Sequence, residues 1–234
     1  QAGLSLLRKA AEGDYVAAAQ LQMLGAMHLD DAGYPLRPPQ SIRLGRAPEV
    51  LRFPAFVTAA EAAHVAQVAS DMLEPAKIVD PATGLLRPHP IRSSDAAAIG
   101  PAREDLVIGA INRRIAAISK TDPFQGEPLT VLRYQPGQQY RLHHDALPPG
   151  TDNQRIRTVI IYLNQGYEGG QTVFPANGLS FTAQAGDAIM FDNCLADGTV
   201  DLLSRHAGLP VTKGAKWIAT RWIRQSTYDP WAPR

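Results

Sequence analysis

The chain has 234 residues, of which 45% are hydrophobic and 19% charged, and its formal net charge is +1. That length suits one large β domain with helical decoration, and so neutral a balance supplies no field to gather nucleic acid or an anionic membrane surface. No apolar run reaches the roughly 20 residues of a membrane-spanning helix, no leader pattern opens the chain, and the lone Cys194 excludes an intrachain disulfide, so a soluble cytoplasmic protein is expected.

The chain opens on Gln1 rather than methionine, as a trimmed or processed end would. From Leu4 to about Leu29 it is rich in Ala, Leu, Gln and Met, interrupted by Gly13-Asp14, a turn followed by an N-cap, which predicts two short antiparallel helices. Ala10-Ala11-Glu12-Gly13-Asp14, Ala17-Ala18-Ala19-Gln20-Leu21 and Leu24-Gly25 resemble one unit of a tetratricopeptide-like repeat. No second copy follows, so residues 1–34 are read as a helical hairpin capping the main domain or as a repeat remnant. Pro35, Pro38 and Pro39 mark 35–49 as an extended connector, leaving 50–234 as the main domain.

Thr58-Ala59-Ala60-Glu61 has the form of a capping box, with Ala62, Val65, Val68, Ala69 and Leu73 at helical spacing behind it, so a helix is predicted over 58–73. Residues 77–100 have no sustained period and read as a strand and a long loop, of the kind that lines active sites. Pro101 then opens a second amphipathic helix carrying Val107, Ile108, Ile111, Ile115 and Ile118. From Leu129 onward short apolar segments alternate with turn residues: 129–134, 139–145, 157–163, 171–174, 179–182, 187–192, 198–206 and 216–223. The rhythm predicts a mainly β double-sheet jelly roll with an interior ligand cavity and the helices over one outer face.

His143 and Asp145 stand two apart, so on a strand both project to one face while His144 points away. If a distant strand brings His206 alongside, two neutral imidazoles and a carboxylate occupy one face of an octahedral ion, the arrangement of non-heme ferrous oxygenases. Taken singly each element has a plain reading, since a His-x-Asp triplet occurs by chance and a lone histidine is more often structural. Lys216 adds weight. It shares a strand face with Ile218, Thr220 and Trp222, and a lysine facing a cavity is costly unless it meets an anion, for which the distal carboxylate of 2-oxoglutarate is suited. The alternative is a Lys216 head reaching solvent at the strand end.

These residues sit within a longer pattern: Leu132-Arg133-Tyr134, Pro136-Gly137-Gln138, Tyr140, His143-His144-Asp145, Thr158 through Tyr162-Leu163-Asn164, Gly169-Gly170-Gln171-Thr172 and Phe174-Pro175. Gly186-Asp187-Ala188, His206-Ala207-Gly208-Leu209-Pro210-Val211 and Gly214-Ala215-Lys216-Trp217 complete it. Over roughly residues 50 to 224 the sequence resembles the prolyl 4-hydroxylase-like branch of the 2-oxoglutarate and Fe(II) dependent dioxygenases. The resemblance implies a double-stranded β-helix in which His143, Asp145 and His206 bind the metal. It further implies that Lys216 grips the 2-oxoglutarate distal carboxylate, Tyr134 assists it and Thr158 adds a hydroxyl contact. Tyr134 and Thr158 also admit a reading as strand residues satisfied by neighbouring backbone. Gln171 departs from the family, which commonly has an acidic residue there.

The implied reaction consumes O2 as co-substrate, releases succinate and CO2, hydroxylates a C–H bond, and draws on ascorbate as reductant. Arg92, Tyr140 and Trp222 are the candidates for holding substrate, while His28, His64, His89 and His144 are read as structural or surface. The favoured substrate is a peptidyl residue, proline first, in a peptide or protein partner. A free amino acid or other small-molecule substrate is the second reading, and a noncatalytic metal-binding interaction module is the third. Loops 77–100 and 146–156 carry that choice.

Overall fold

Asp14 begins the second of two packed N-terminal helices, α1 (Ala2–Ala10) and α2 (Tyr15–Ala26), by accepting hydrogen bonds from the backbone N–H groups of Val16 and Ala17. The structure, a computed structural model, describes residues 2–79, 86–89 and 91–231. The capping box forms as its residues predict: Thr58 Oγ1 accepts from Glu61 N and the Glu61 carboxylate accepts from Thr58 N, starting α3 (Ala59–Ala69). A 3-10 turn, Ser70–Met72, replaces the expected last helical residues. The next helix, α4 (Leu106–Ser119), starts at Asp105 rather than Pro101, because the Asp105 carboxylate accepts from Ile108 N at 2.9 Å. Glu61 also clamps α3 to α4 through a buried bidentate pair with Arg114, at 2.8 and 3.0 Å. The hairpin docks on the same helix, where Gln20 Nε2 donates to Asp105 Oδ2. No helix among the described residues is long and apolar enough to cross a membrane.

The β residues form a large and a small antiparallel sheet. The large one runs in the order Ile42–Arg46, Glu49–Phe53, Ala188–Asp192, Arg155–Tyr162, Lys216–Arg224, Leu129–Tyr134, Asp95–Ile99 and Glu74–Pro75. The small one runs Leu179–Phe181, Thr172–Phe174, His206–Gly208 and Tyr140–His143. Strand alternation divides the large sheet's residues between two cores. Val131, Val159, Ile161, Ala219 and Ile223 pack with Val107, Ile108, Ile111 and Ile115 of α4, whereas Leu132, Tyr134, Ile160, Tyr162 and Ile218 pack with Phe174 and Phe181 of the small sheet. The result is a double-stranded β-helix with helices on one outer face and the cavity between the sheets.

Several expectations change. The connector 35–49 contains the edge strand Ile42–Arg46, whose largely exposed residues carry only the short Ile42/Leu44 alternation to announce it. Much of 77–100 is extended: Lys77–Val79 pairs with Leu86–Pro88, and Asp95–Ile99 joins the large sheet, its three alanines having weak β propensity. Residues 80–85 and 90 of that expected loop lie outside the described residues. Of the expected strand 198–206 only His206 is in a strand, because Asp201 accepts from Leu203 N and caps a 3-10 turn, Leu202–Ser204.

Candidate metal centre

His143 ends the strand Tyr140–His143 and stands directly opposite His206 in the antiparallel register, so sheet pairing brings together two imidazoles 63 positions apart in the chain. The strand stops before Asp145, but the in-out alternation continues: Asp145 is buried and His144 is exposed. One ligand atom from each of His143, Asp145 and His206 lies within 4.8 Å of the others. The carboxylate bridges the pair, with Oδ1 at 3.5 Å from His143 Nε2 and Oδ2 at 3.8 Å from His206 Nε2.

Both rings are oriented from behind. His143 Nδ1 lies 2.7 Å from the Arg141 carbonyl and His206 Nδ1 lies 3.0 Å from the Ser204 carbonyl. A carbonyl only accepts, so each Nδ1 carries the hydrogen and each Nε2 turns its lone pair toward the carboxylate. Tyr140 stacks on His143 with ring centroids 3.4 Å apart, and Phe174 and Phe191 hold His206. Burial, with His143 nearby, pushes His206 down to about 4 against the pull of Asp145. Burial raises Asp145, but His206, His143 and a hydrogen bond from Thr158 outweigh it and hold the carboxyl well below its usual range. The site therefore offers two imidazole nitrogens and a carboxylate, a donor set that fits Fe(II) with positions left for other ligands.

The same cavity takes in Tyr134, Tyr140, Thr172, Lys216 and Trp222. Lys216 is only 3% exposed, which removes the solvent-reaching alternative. Its Nζ donates to the Gly170 carbonyl at 2.6 Å and faces the rings of Tyr134 and Tyr162 at 5.8 and 5.4 Å. Among the described residues no carboxylate lies within ion-pair distance of it, and burial pushes the amine down to about 7. Tyr134, its cross-strand neighbour, is buried and its phenol is raised above the ordinary value, so it remains a donor.

Thr158 is an expected cavity contact that the fold turns elsewhere. Its hydroxyl donates to Asp145 Oδ2 at 2.7 Å and accepts from Asn193 Nδ2 at 2.9 Å, so it serves the carboxylate instead of lining the cavity. Thr172 lines the cavity and accepts from the Tyr162 hydroxyl at 2.7 Å. Both fall in the family pattern without being singled out as site residues, although the parity of Thr172 with the inward Phe174 points it to the cavity. Arg92 bridges to Tyr140 through backbone and lays its guanidinium over that ring at 5.4 Å. Trp222 is covered by Arg155, which Glu127 holds in a two-point pair and which no motif in the sequence marks. His64 pairs with Asp105, and His89 packs edge-on to Tyr140.

A family model described as the 2OG-Fe(II) oxygenase superfamily matches residues 129–224. A probable prolyl 4-hydroxylase (number 10) of Arabidopsis thaliana is 34% identical over 196 residues, covering 74% of this chain and 68% of that protein. The chain belongs to the prolyl 4-hydroxylase-like 2OG-Fe(II) oxygenases. Prolyl 4-hydroxylase 1 of the same plant is 32% identical to this oxygenase over 197 residues, 76% of this chain and 70% of that one. A viral collagen prolyl hydroxylase from Paramecium bursaria Chlorella virus-1, solved as a 2OG complex, superposes with a TM-score of 0.61 at 25% identity, covering 76% of this chain and 96% of that one. The oxygenase is a 2-oxoglutarate-dependent dioxygenase, and Fe(II), 2-oxoglutarate and O2 are its cofactor and co-substrates.

Proposed function

We propose that this oxygenase hydroxylates a peptidyl proline, in a peptide or protein substrate, with release of succinate and CO2. Bound Fe(II) with 2-oxoglutarate supplies the activation of O2 and the oxidising power for a C–H bond. His143, Asp145 and His206 hold the ion. Lys216 holds the distal carboxylate of 2-oxoglutarate by a charge-assisted hydrogen bond, with the Tyr134 phenol as a second donor and Thr172 beside them. The observation that carries this reading is a buried lysine amine with no carboxylate partner among the described residues, in the same cavity as a His-Asp-His set. The relatives named above act on proline, which selects the substrate. Tyr140 and Trp222 on the cavity wall, with Arg92 over Tyr140, are the substrate-side residues. Ascorbate serves as reductant, the location is the cytoplasm, and residues 50–234 are the catalytic domain behind the connector 35–49. Residues 1–34, as a tetratricopeptide-like remnant, offer a surface to a protein partner.

The direct test incubates Fe(II)-loaded protein with 2-oxoglutarate, ascorbate and a proline-containing peptide, and reads peptide mass and succinate together. The expected result is one added oxygen per succinate formed. Turnover of free proline in preference to the peptide would move the substrate to the small-molecule class. No succinate from well-folded loaded protein would leave a binding module.

A pH dependence follows from Lys216. The amine must be protonated to hold a carboxylate, yet burial pushes it from 10.5 to about 7. Above about pH 7, 2-oxoglutarate affinity is therefore expected to fall by up to about tenfold per pH unit, with proton uptake on binding. Stability of the ligand-free protein should move the other way. Between about 7 and 10.5 the unfolded chain binds more protons at Lys216 than the folded one, so this residue's contribution rises with pH across that window. Equilibrium binding and denaturant unfolding over the same pH series check both slopes.

A further inference from the structure

The Thr158 hydroxyl gives its single proton to Asp145 Oδ2 at 2.7 Å. The Thr158 oxygen is then left as an acceptor, and it meets a side-chain amide donor, Asn193 Nδ2 at 2.9 Å. Each link fixes the polarity of the next. Thr158 and Asn193 are both fully buried, and the other amide atom, Asn193 Oδ1, has no partner among the described residues. A buried acceptor without a donor costs stability, so folding alone does not favour an amide at this position over an apolar side chain of similar size.

The backbone of Asn193 extends the connection to the other end of the site. Its N–H donates to the Ile156 carbonyl on the strand that carries Thr158, and its carbonyl accepts from Asp201 N. Asp201 caps the Leu202–Ser204 turn, the Ser204 hydroxyl donates to the Asp201 carbonyl, and the Ser204 carbonyl accepts from His206 Nδ1. Asn193 thus stands where a single run of hydrogen bonds joins Asp145 to His206.

We infer that Asn193 is a positioning residue for the metal centre: acting through Thr158, it holds the Asp145 carboxylate in place by a fixed hydrogen bond at Oδ2. The inference rests on the reading of His143, Asp145 and His206 as the metal ligands. Substitution by leucine removes the donor to Thr158 together with the unpaired acceptor, while the backbone links stay.

Visible-range titration of the ligand-free protein with Co(II) alone, paired with thermal unfolding, separates positioning from plain packing. Asn193→Leu should bind Co(II) about 10–100-fold more weakly, the range found for outer-shell partners, without a lower melting temperature. Thr158→Val should lose affinity to a similar degree, and Thr158→Ser, which keeps the hydroxyl, should retain it. The double variant Asn193→Leu/Thr158→Val should be no weaker than Thr158→Val alone, because both act on one carboxylate oxygen. Unchanged Co(II) affinity in folded Asn193→Leu, or losses that add in the double variant, would overturn the inference. Should Asn193→Leu fail to fold, Asn193→Ala carries the same readings. Wild type that binds no better than His206→Ala would bring down the ligand reading and this inference with it, whereas strong wild-type binding unaffected by Asn193 would sink the inference alone.

Discussion

Replacing His206 with alanine is expected to remove Fe(II) binding and all turnover above background. The imidazole supplies one of the set's two ring nitrogens, and the methyl of alanine, between Phe174 and Phe191, offers no ligand atom in its place. Outer-shell substitutions alone cost about 10–100-fold in metal affinity, so loss of a ligand itself should exceed about 100-fold. Metal titration followed by succinate release measures both quantities. His144→Ala is the matched control: one residue from His143, exposed and turned outward, it should leave both readings at the wild-type level. If His144→Ala failed as His206→Ala does, the assignment of the inward face would be wrong.

Lys216→Met should separate the co-substrate from the metal. Methionine keeps the length and most of the volume of the buried side chain and removes the charge, so the cavity wall stays in place while the grip on the distal carboxylate is lost. Truncating one partner of a buried, hydrogen-bonded charge pair typically costs about 2–5 kcal/mol, which corresponds to roughly 30-fold to several thousand-fold weaker 2-oxoglutarate binding. Fe(II) affinity should be unchanged. The ligand-free variant should be no less stable than wild type, because among the described residues the amine it replaces is held by the Gly170 carbonyl and two aromatic rings alone. Isothermal titration with 2-oxoglutarate in the presence of Mn(II), alongside thermal unfolding, reads the two effects separately. A variant that bound 2-oxoglutarate as wild type does would remove Lys216 from the role proposed for it.

Much of the site is local enough to be read from the chain. The two-residue spacing of His143 and Asp145 states which side chains share a face whether or not the strand reaches the second of them, and here it stops at His143. The alternation from Lys216 to Trp222 likewise placed four residues on the cavity wall before any partner strand was known. The apolar stripe of α4 and the box at Thr58 and Glu61 are similarly set by periodicity and by a reciprocal hydrogen bond within four residues. Edge strand Ile42–Arg46, with only two alternating apolar residues, and the alanine-rich Asp95–Ile99 escaped because so short or weak a pattern leaves their strand character to pairing with a neighbour's backbone.

The sequence by itself determined the chemistry available: the histidines and carboxylate suited to a ferrous ion, a lysine on an inward face, and the strand rhythm of a double-sheet fold. Only the tertiary structure decided how those groups are employed. Opposition of His143 and His206 across one strand pair, the isolation of Lys216 from every carboxylate among the described residues, and the diversion of Thr158 from the cavity to Asp145 all join distant parts of the chain. Side-chain identity states what a group is able to donate or accept; which partner it meets is set by sheet register and burial, and those are properties of the packed whole.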